Sequence, residues 1–158
     1  MNRVVTGYDE AGNPAIIYNG EPPTVIHAGR YRTTEIWVSD GTPPTVTRSD
    51  PSTRPWELEP GPGGACFRIV EIAAGDGADS DAVAGDLDEQ AEGFQEAHAT
   101  QTLDYVAVLS GEVTLVVAGK EITLGPGDCV VQQPGVPHDW LNRTSERVVL
   151  VGVLISAR

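Results

Sequence analysis

The chain is short of positive charge. Ten Lys and Arg stand against 23 Asp and Glu in 158 residues, a formal net charge of −13. Such a surface repels phosphate backbones and anionic membranes, which argues against nucleic acid and lipid as partners. No run approaches the roughly 20 apolar residues that cross a bilayer. The opening "MNRVVTGYDE" has no apolar core followed by a small-residue cleavage site, so a cytoplasmic protein is expected. Cysteine is scarce too. Cys66 and Cys129 lie in apolar runs, "GACFRIV" and "GDCVV", and neither belongs to a CxxC pair. Both are expected to be buried free thiols, and no cysteine zinc site is expected. Long amphipathic helices and a helix-turn-helix pattern are missing, which argues against a DNA-binding regulator.

What is present fits one domain with its own core: 40% of residues are hydrophobic and 21% charged. The apolar stretches are short and rich in β-branched residues, among them "AIIY", "TTEIWV", "CFRIVEI", "YVAVL", "VTLVV", "EITL", "CVVQ" and "RVVLVGVLI". Gly- and Pro-rich turns such as "DGTPP", "PGPGG", "LSGE" and "LGPGD" separate them. That spacing predicts an all-β sandwich or barrel. The tight turns at 110–111 and 118–120 predict consecutive antiparallel pairs. Residues 39–63 read as an irregular excursion. Residues 74–97 hold eight acidic residues and no basic one, a solvated loop with a short helix around "DLDEQAEGF". A cover over a pocket is the alternative reading of that segment.

In "HATQTLDY" the polar residues His98, Thr100, Thr102 and Asp104 fall at every second position. In an extended chain they share one face, either solvent-facing or lining a pocket. Tyr105 then points outward. In "LGPGDCVVQQPGVPHDWLN" a Pro-Gly turn ends one strand and presents His138 at the start of the next, with Trp140 and Asn142 on the same face. One of Gln132 and Gln133 should face inward as a polar contact. His27 matches no motif and reads as a surface residue.

In these two segments the chain resembles the cupin superfamily, small double-stranded jelly rolls. The family's first motif, G(X)5HXH(X)3,4E(X)6G, is met at His98, at the carboxylate position by Asp104, and at Gly111. Thr100 stands where the second histidine would be. The second motif, G(X)5PXG(X)2H(X)3N, runs from Gly127 through Gly135 and His138 to Asn142, with Gln133 in the place of its proline. The resemblance implies a double-stranded β-helix, the cupin jelly-roll barrel, over residues 65–158. Residues 1–64 become N-terminal strands and loops packing on it, at the interface of a homodimer.

For the site, the resemblance implies His98, Asp104 and His138 as the catalytic residues, with two alternatives open. They bind one divalent metal, iron or zinc before manganese or nickel, or they work metal-free by proton transfer. Threonine is a poor ligand for such metals, and aspartate reaches less far than glutamate. Thr100, Thr102, Gln133 and Trp140 are expected to contact substrate. The expected activity is that of a lyase or isomerase: dehydration, isomerisation or decarboxylation through an enolate. The substrate expected is a small oxygenated, largely apolar metabolite. The predicted inner positions of 98–117 and 128–142 carry no Arg or Lys, which favours a neutral or singly charged one. An iron-dependent oxygenase and a non-catalytic small-molecule binder are the alternatives.

Overall fold

The computed structural model describes residues 1–75 and 97–158. The helix expected around "DLDEQAEGF", and the cover it would form, lie outside the described residues. Eleven strands are formed among the described residues. They are β1 (Arg3–Tyr8), β2 (Pro14–Gly20), β3 (Thr24–Ala28), β4 (Tyr31–Ser39), β5 (Ala65–Ile72), β6 (Thr102–Ser110), β7 (Val113–Val117), β8 (Lys120–Leu124), β9 (Cys129–Gln132), β10 (Asp139–Leu141) and β11 (Val148–Ser156). A single 3-10 turn at Pro51–Thr53 interrupts the excursion between β4 and β5. No helix among the described residues is long and apolar enough to cross a membrane.

Two sheets face each other. The larger runs β3-β4-β5-β11-β6-β9 and the smaller β10-β7-β8, while β1 and β2 form a separate hairpin. Ile26, Tyr31, Ile72, Val108, Val148 and Leu150 from the larger sheet meet Val113, Leu115 and Trp140 from the smaller in one buried cluster. This is the jelly-roll sandwich, with apolar side chains alternating inward from both layers. The apolar run of β11 takes the central place in the larger sheet, paired on one side with β5 and on the other with β6. A strand flanked by two partners exposes no backbone edge, so polar side chains are not needed to protect it.

Three expectations change here. The turn at 118–119 does close a hairpin, β7 with β8, and Ala118 and Gly119 both take positive φ, as a two-residue primed turn requires. The turn at 110–111 does not. β6 stays in the larger sheet and β7 enters the smaller one, so the chain changes layers at Gly111. That corner has φ +77°, and a Cβ there would stand 2.8 Å from the Arg147 carbonyl oxygen. Second, part of the segment ahead of residue 65, β3 and β4, belongs to the larger sheet, while β1 and β2 stay outside it as a hairpin. β4 pairs with β5 from Tyr31↔Ile72 to Ser39↔Ala65, and β3 pairs with β4. Third, Cys66 is buried but Cys129 is exposed, and both are free. β9 is an edge strand, and of its four residues only Gln132 is buried. His27 is half-buried on β3.

Candidate functional site

The polar stripe faces inward. Thr100, Thr102 and Asp104 are buried and His98 half-buried, while Ala99, Gln101 and Tyr105 between and beside them are exposed. Asp104 lies on β6, and the residues before it reach the second motif through a short bridge. His98 and His138 exchange both backbone hydrogen bonds, at 3.1 and 3.0 Å. Their rings stand 4.7 Å apart, centre to centre. The turn that delivers His138 has Pro134 in its second position and Gly135, φ +75°, in its third. That is the residue order a type II turn prefers. The Gly135 amide also donates to the Thr100 carbonyl at 2.8 Å, which ties the turn to the stripe.

A cavity of about 70 Å³ opens over these groups. His98, Thr100, Asp104, His138 and Trp140 line it, so five of the expected site residues meet in one place. Much of the remaining wall is apolar, from Val70, Ile72, Val106, Leu150 and Leu154. Its size is well below that of a drug-sized site, so it suits a small ligand or one end of a larger one. Trp140 belongs to the buried core instead of standing at a rim, and packs edge-on to His138 with ring centres 6.5 Å apart.

Two expected substrate contacts are corrected. Thr102 is fully buried behind the wall, where its hydroxyl hydrogen-bonds that of Thr100 at 2.8 Å. Gln133 is exposed, and Gln132 is the inward glutamine. The reason is register: Gln132 sits directly across from Asp104 on the neighbouring strand, so both side chains emerge on one face. The Gln132 amide nitrogen lies 2.9 Å from His138 Nε2 and donates to Asp104 Oδ2 at 3.4 Å. His138 Nδ1 lies 3.1 Å from the Val136 carbonyl oxygen, which can only accept. The proton is therefore on Nδ1, and Nε2 accepts from Gln132. Burial lowers the His138 pKa, which favours the neutral ring. Burial raises the Asp104 pKa, while the nearby Thr102 hydroxyl and the His98 and Arg68 side chains pull it back. Asp104 Oδ1 is buried with no hydrogen-bond partner.

Tyr31 and Arg68 also line the cavity, and neither was expected. Tyr31 donates to the Trp140 carbonyl at 3.1 Å, and burial raises its pKa, so its oxygen is a fixed strut and not a base. Arg68 enters from β5. Alternation through Cys66, Arg68, Val70 and Ile72 was the signal for it. Its guanidinium is paired with Glu35 at 2.9 Å and donates to the Leu58 carbonyl at 2.6 Å, and it stacks over Trp56 at 4.9 Å.

The donor set does not fit a metal as it stands. Among the described residues no group of three or more His, Cys, Asp and Glu side chains gathers closely enough to hold one. Both ring nitrogens of His138 are engaged, one by Val136 and one by Gln132. A ligand needs a free lone pair at about 2.0–2.1 Å from the ion.

The cupin-domain family model matches residues 86–154. Two proteins of Diaporthe leptostromiformis, phomopsin biosynthesis cluster proteins C' and D, are each 31% identical over 154 residues, spanning 90% of this chain and 71% of theirs. Among solved structures, a cupin 2 conserved barrel domain protein from Salinispora arenicola aligns with a TM-score of 0.51 at 17% identity, covering 85% of this chain and 82% of that one. The polyketide cyclase RemF from Streptomyces resistomycificus gives 0.52 at 12% identity, covering 85% and 74%. At such identities these two speak to the fold alone.

Proposed function

This chain belongs to the cupin superfamily, and from that premise we propose that its pocket carries out acid–base chemistry on a small, neutral, oxygenated and largely apolar metabolite. One observation carries the reading. Asp104 Oδ1 is a buried carboxyl oxygen left without a hydrogen-bond partner. An unsatisfied buried acceptor costs about 1–3 kcal/mol, so its retention points to a ligand group that completes it. With Oδ2 held by Gln132 and its pKa raised by burial, the carboxyl is suited to take a proton beside a substrate carbonyl and to return it. Thr100 lines the same cavity and supplies a hydroxyl for the substrate oxygen, and His98 a second imidazole. The reaction classes that use such a set are isomerisation, dehydration and decarboxylation through an enolate. The relatives in Diaporthe leptostromiformis are named for a biosynthesis cluster, which supports a role in building a small molecule.

The test is solvent exchange. Incubated in D2O with a panel of small neutral ketones and hydroxyketones, the protein should introduce deuterium beside the carbonyl of at least one, and Asp104→Asn should not. Ligands that bind without exchange or turnover would make this a binding pocket and overturn the enzymatic reading.

The proposed assembly is a homodimer. Val4, Tyr8, Ile16, Val46 and Phe67 are exposed around an open groove of about 940 Å³ between the β1–β2 hairpin and the outer face of the larger sheet. Its one charged lining residue among the described residues, Arg3, is paired with Asp50. Two copies of a chain of charge −13 repel except across such an uncharged face. Sedimentation of a monomer at micromolar concentration would refute the dimer.

A further inference from the structure

We infer that Gln132 is a positioning residue that stands in for a metal ion, its amide nitrogen holding Asp104 and His138 together and closing the pocket to a cation. An amide nitrogen has two N–H groups and no acceptor. Here one reaches Asp104 Oδ2 and the other His138 Nε2. Both of those atoms are acceptors, the second because Nδ1–H is committed to the Val136 carbonyl. The amide oxygen would face a lone pair in either place, so the orientation of Gln132 is dictated by its partners. A carboxylate oxygen and an unprotonated imidazole nitrogen are what a divalent cation would seek. The imidazole nitrogen has a single lone pair in the ring plane, and a metal and an N–H cannot both use it.

The glutamine is not a casual visitor. It is buried, it is the last residue of β9, and its place opposite Asp104 is set by the strand ladder. Changing its amide to a carboxylate exchanges one group and reverses the logic. Three acceptors would then face one another, a cluster that only a proton or a cation relieves. The inference uses the same pocket as the acid–base reading but needs no substrate, so either can fail while the other stands.

The experiment titrates purified, metal-stripped protein with Co2+, reading visible d–d absorption and the side-chain 15N resonances of His138. In the wild type Nε2 should resonate as an unprotonated acceptor and Nδ1 as the protonated nitrogen, with neither responding to micromolar Co2+. Gln132→Glu should gain one Co2+ per chain with affinity ~10-fold or more above wild type. Gln132→Ala, which frees the same atoms without adding a ligand, should gain a weaker site that His138→Ala abolishes. If one variant fails to fold, judged by circular dichroism, the other decides. A wild type that binds Co2+ on His138 as tightly as Gln132→Glu overturns the inference. So does a protonated Nε2 in the wild type, or an unchanged His138 spectrum in both folded variants.

Discussion

Replacing Glu35 by leucine would strand the arginine that enters the pocket wall. The side chains of Arg68 and Glu35 are 5% and 4% exposed and meet at 2.9 Å. Without Glu35 the guanidinium remains charged, keeping among the described residues the Glu57 and Leu58 carbonyls and the Trp56 face. Breaking a buried pair by removing one partner costs ~3–5 kcal/mol, and those two carbonyls place the expectation at the lower end. At ~2–4 °C per kcal/mol for a chain of this size, a loss of ~3 kcal/mol lowers Tm by ~6–12 °C. Removing both charges is a different perturbation. Glu35→Leu with Arg68→Met exchanges the pair for apolar volume and should recover most of the loss. Burial raises the Glu35 pKa above its ordinary 4.5 despite Arg68, which says that desolvation outweighs the attraction. The sign of the pH effect follows. The folded chain holds this proton more tightly than the unfolded one, so the contribution is full below 4.5 and is lost as pH rises through the raised value. Thermal unfolding of the four proteins of the cycle, followed by circular dichroism across pH, measures both effects. A single variant within ~1 kcal/mol of wild type, the range of an exposed pair, would refute the reasoning. So would a double variant no more stable than Glu35→Leu.

Three further outcomes are expected. In the native protein a disulfide reagent should modify one thiol quickly, that of the exposed Cys129. Cys66 should react only on unfolding, since it is buried and its pKa is pushed up to about 12; two fast thiols would contradict the inward placement of Cys66. Gly111→Ala should destabilise by at least ~1–3 kcal/mol in denaturant titration, because the new Cβ meets the Arg147 carbonyl at 2.8 Å and the residue must hold φ +77°. A neutral result would mean that the corner relaxes freely. Asn142→Ala should cost ~2–3 kcal/mol without altering ligand contacts. The fully buried Asn142 donates to the carbonyls of Ala73 and Glu146 and accepts from the Thr144 amide, which pins the loop ahead of β11. A change in ligand affinity with unchanged stability would instead put it in the site.

That His98, Thr100 and Asp104 share one face was legible because parity along an extended chain is a local property, and the motif resemblance implied that this face points into the barrel. The delivery of His138 was legible because Pro134 and Gly135 specify their own turn. Arg68 could have been found by the same alternation, counted from Cys66. The glutamine is different. In "CVVQ" the residues ahead of Gln132 are apolar on both faces, so hydrophobic pattern carries no parity. Only the pairing of Asp104 with Gln132 decides it, and that is a contact between strands 28 positions apart.

From the sequence alone came the all-β class, the strand segments and the shared face of the stripe, since each depends on turn chemistry and a period of two within a few residues, while the family resemblance supplied the motif residues and the inward direction. Tertiary structure alone decided that β6 and β7 part into separate sheets, that Glu35 lies against Arg68, and that Gln132 reaches Asp104 and His138. The first two turn on which strands pair, and the third on the register between them. Pairing and register are properties of two distant segments at once, and neither segment encodes them by itself.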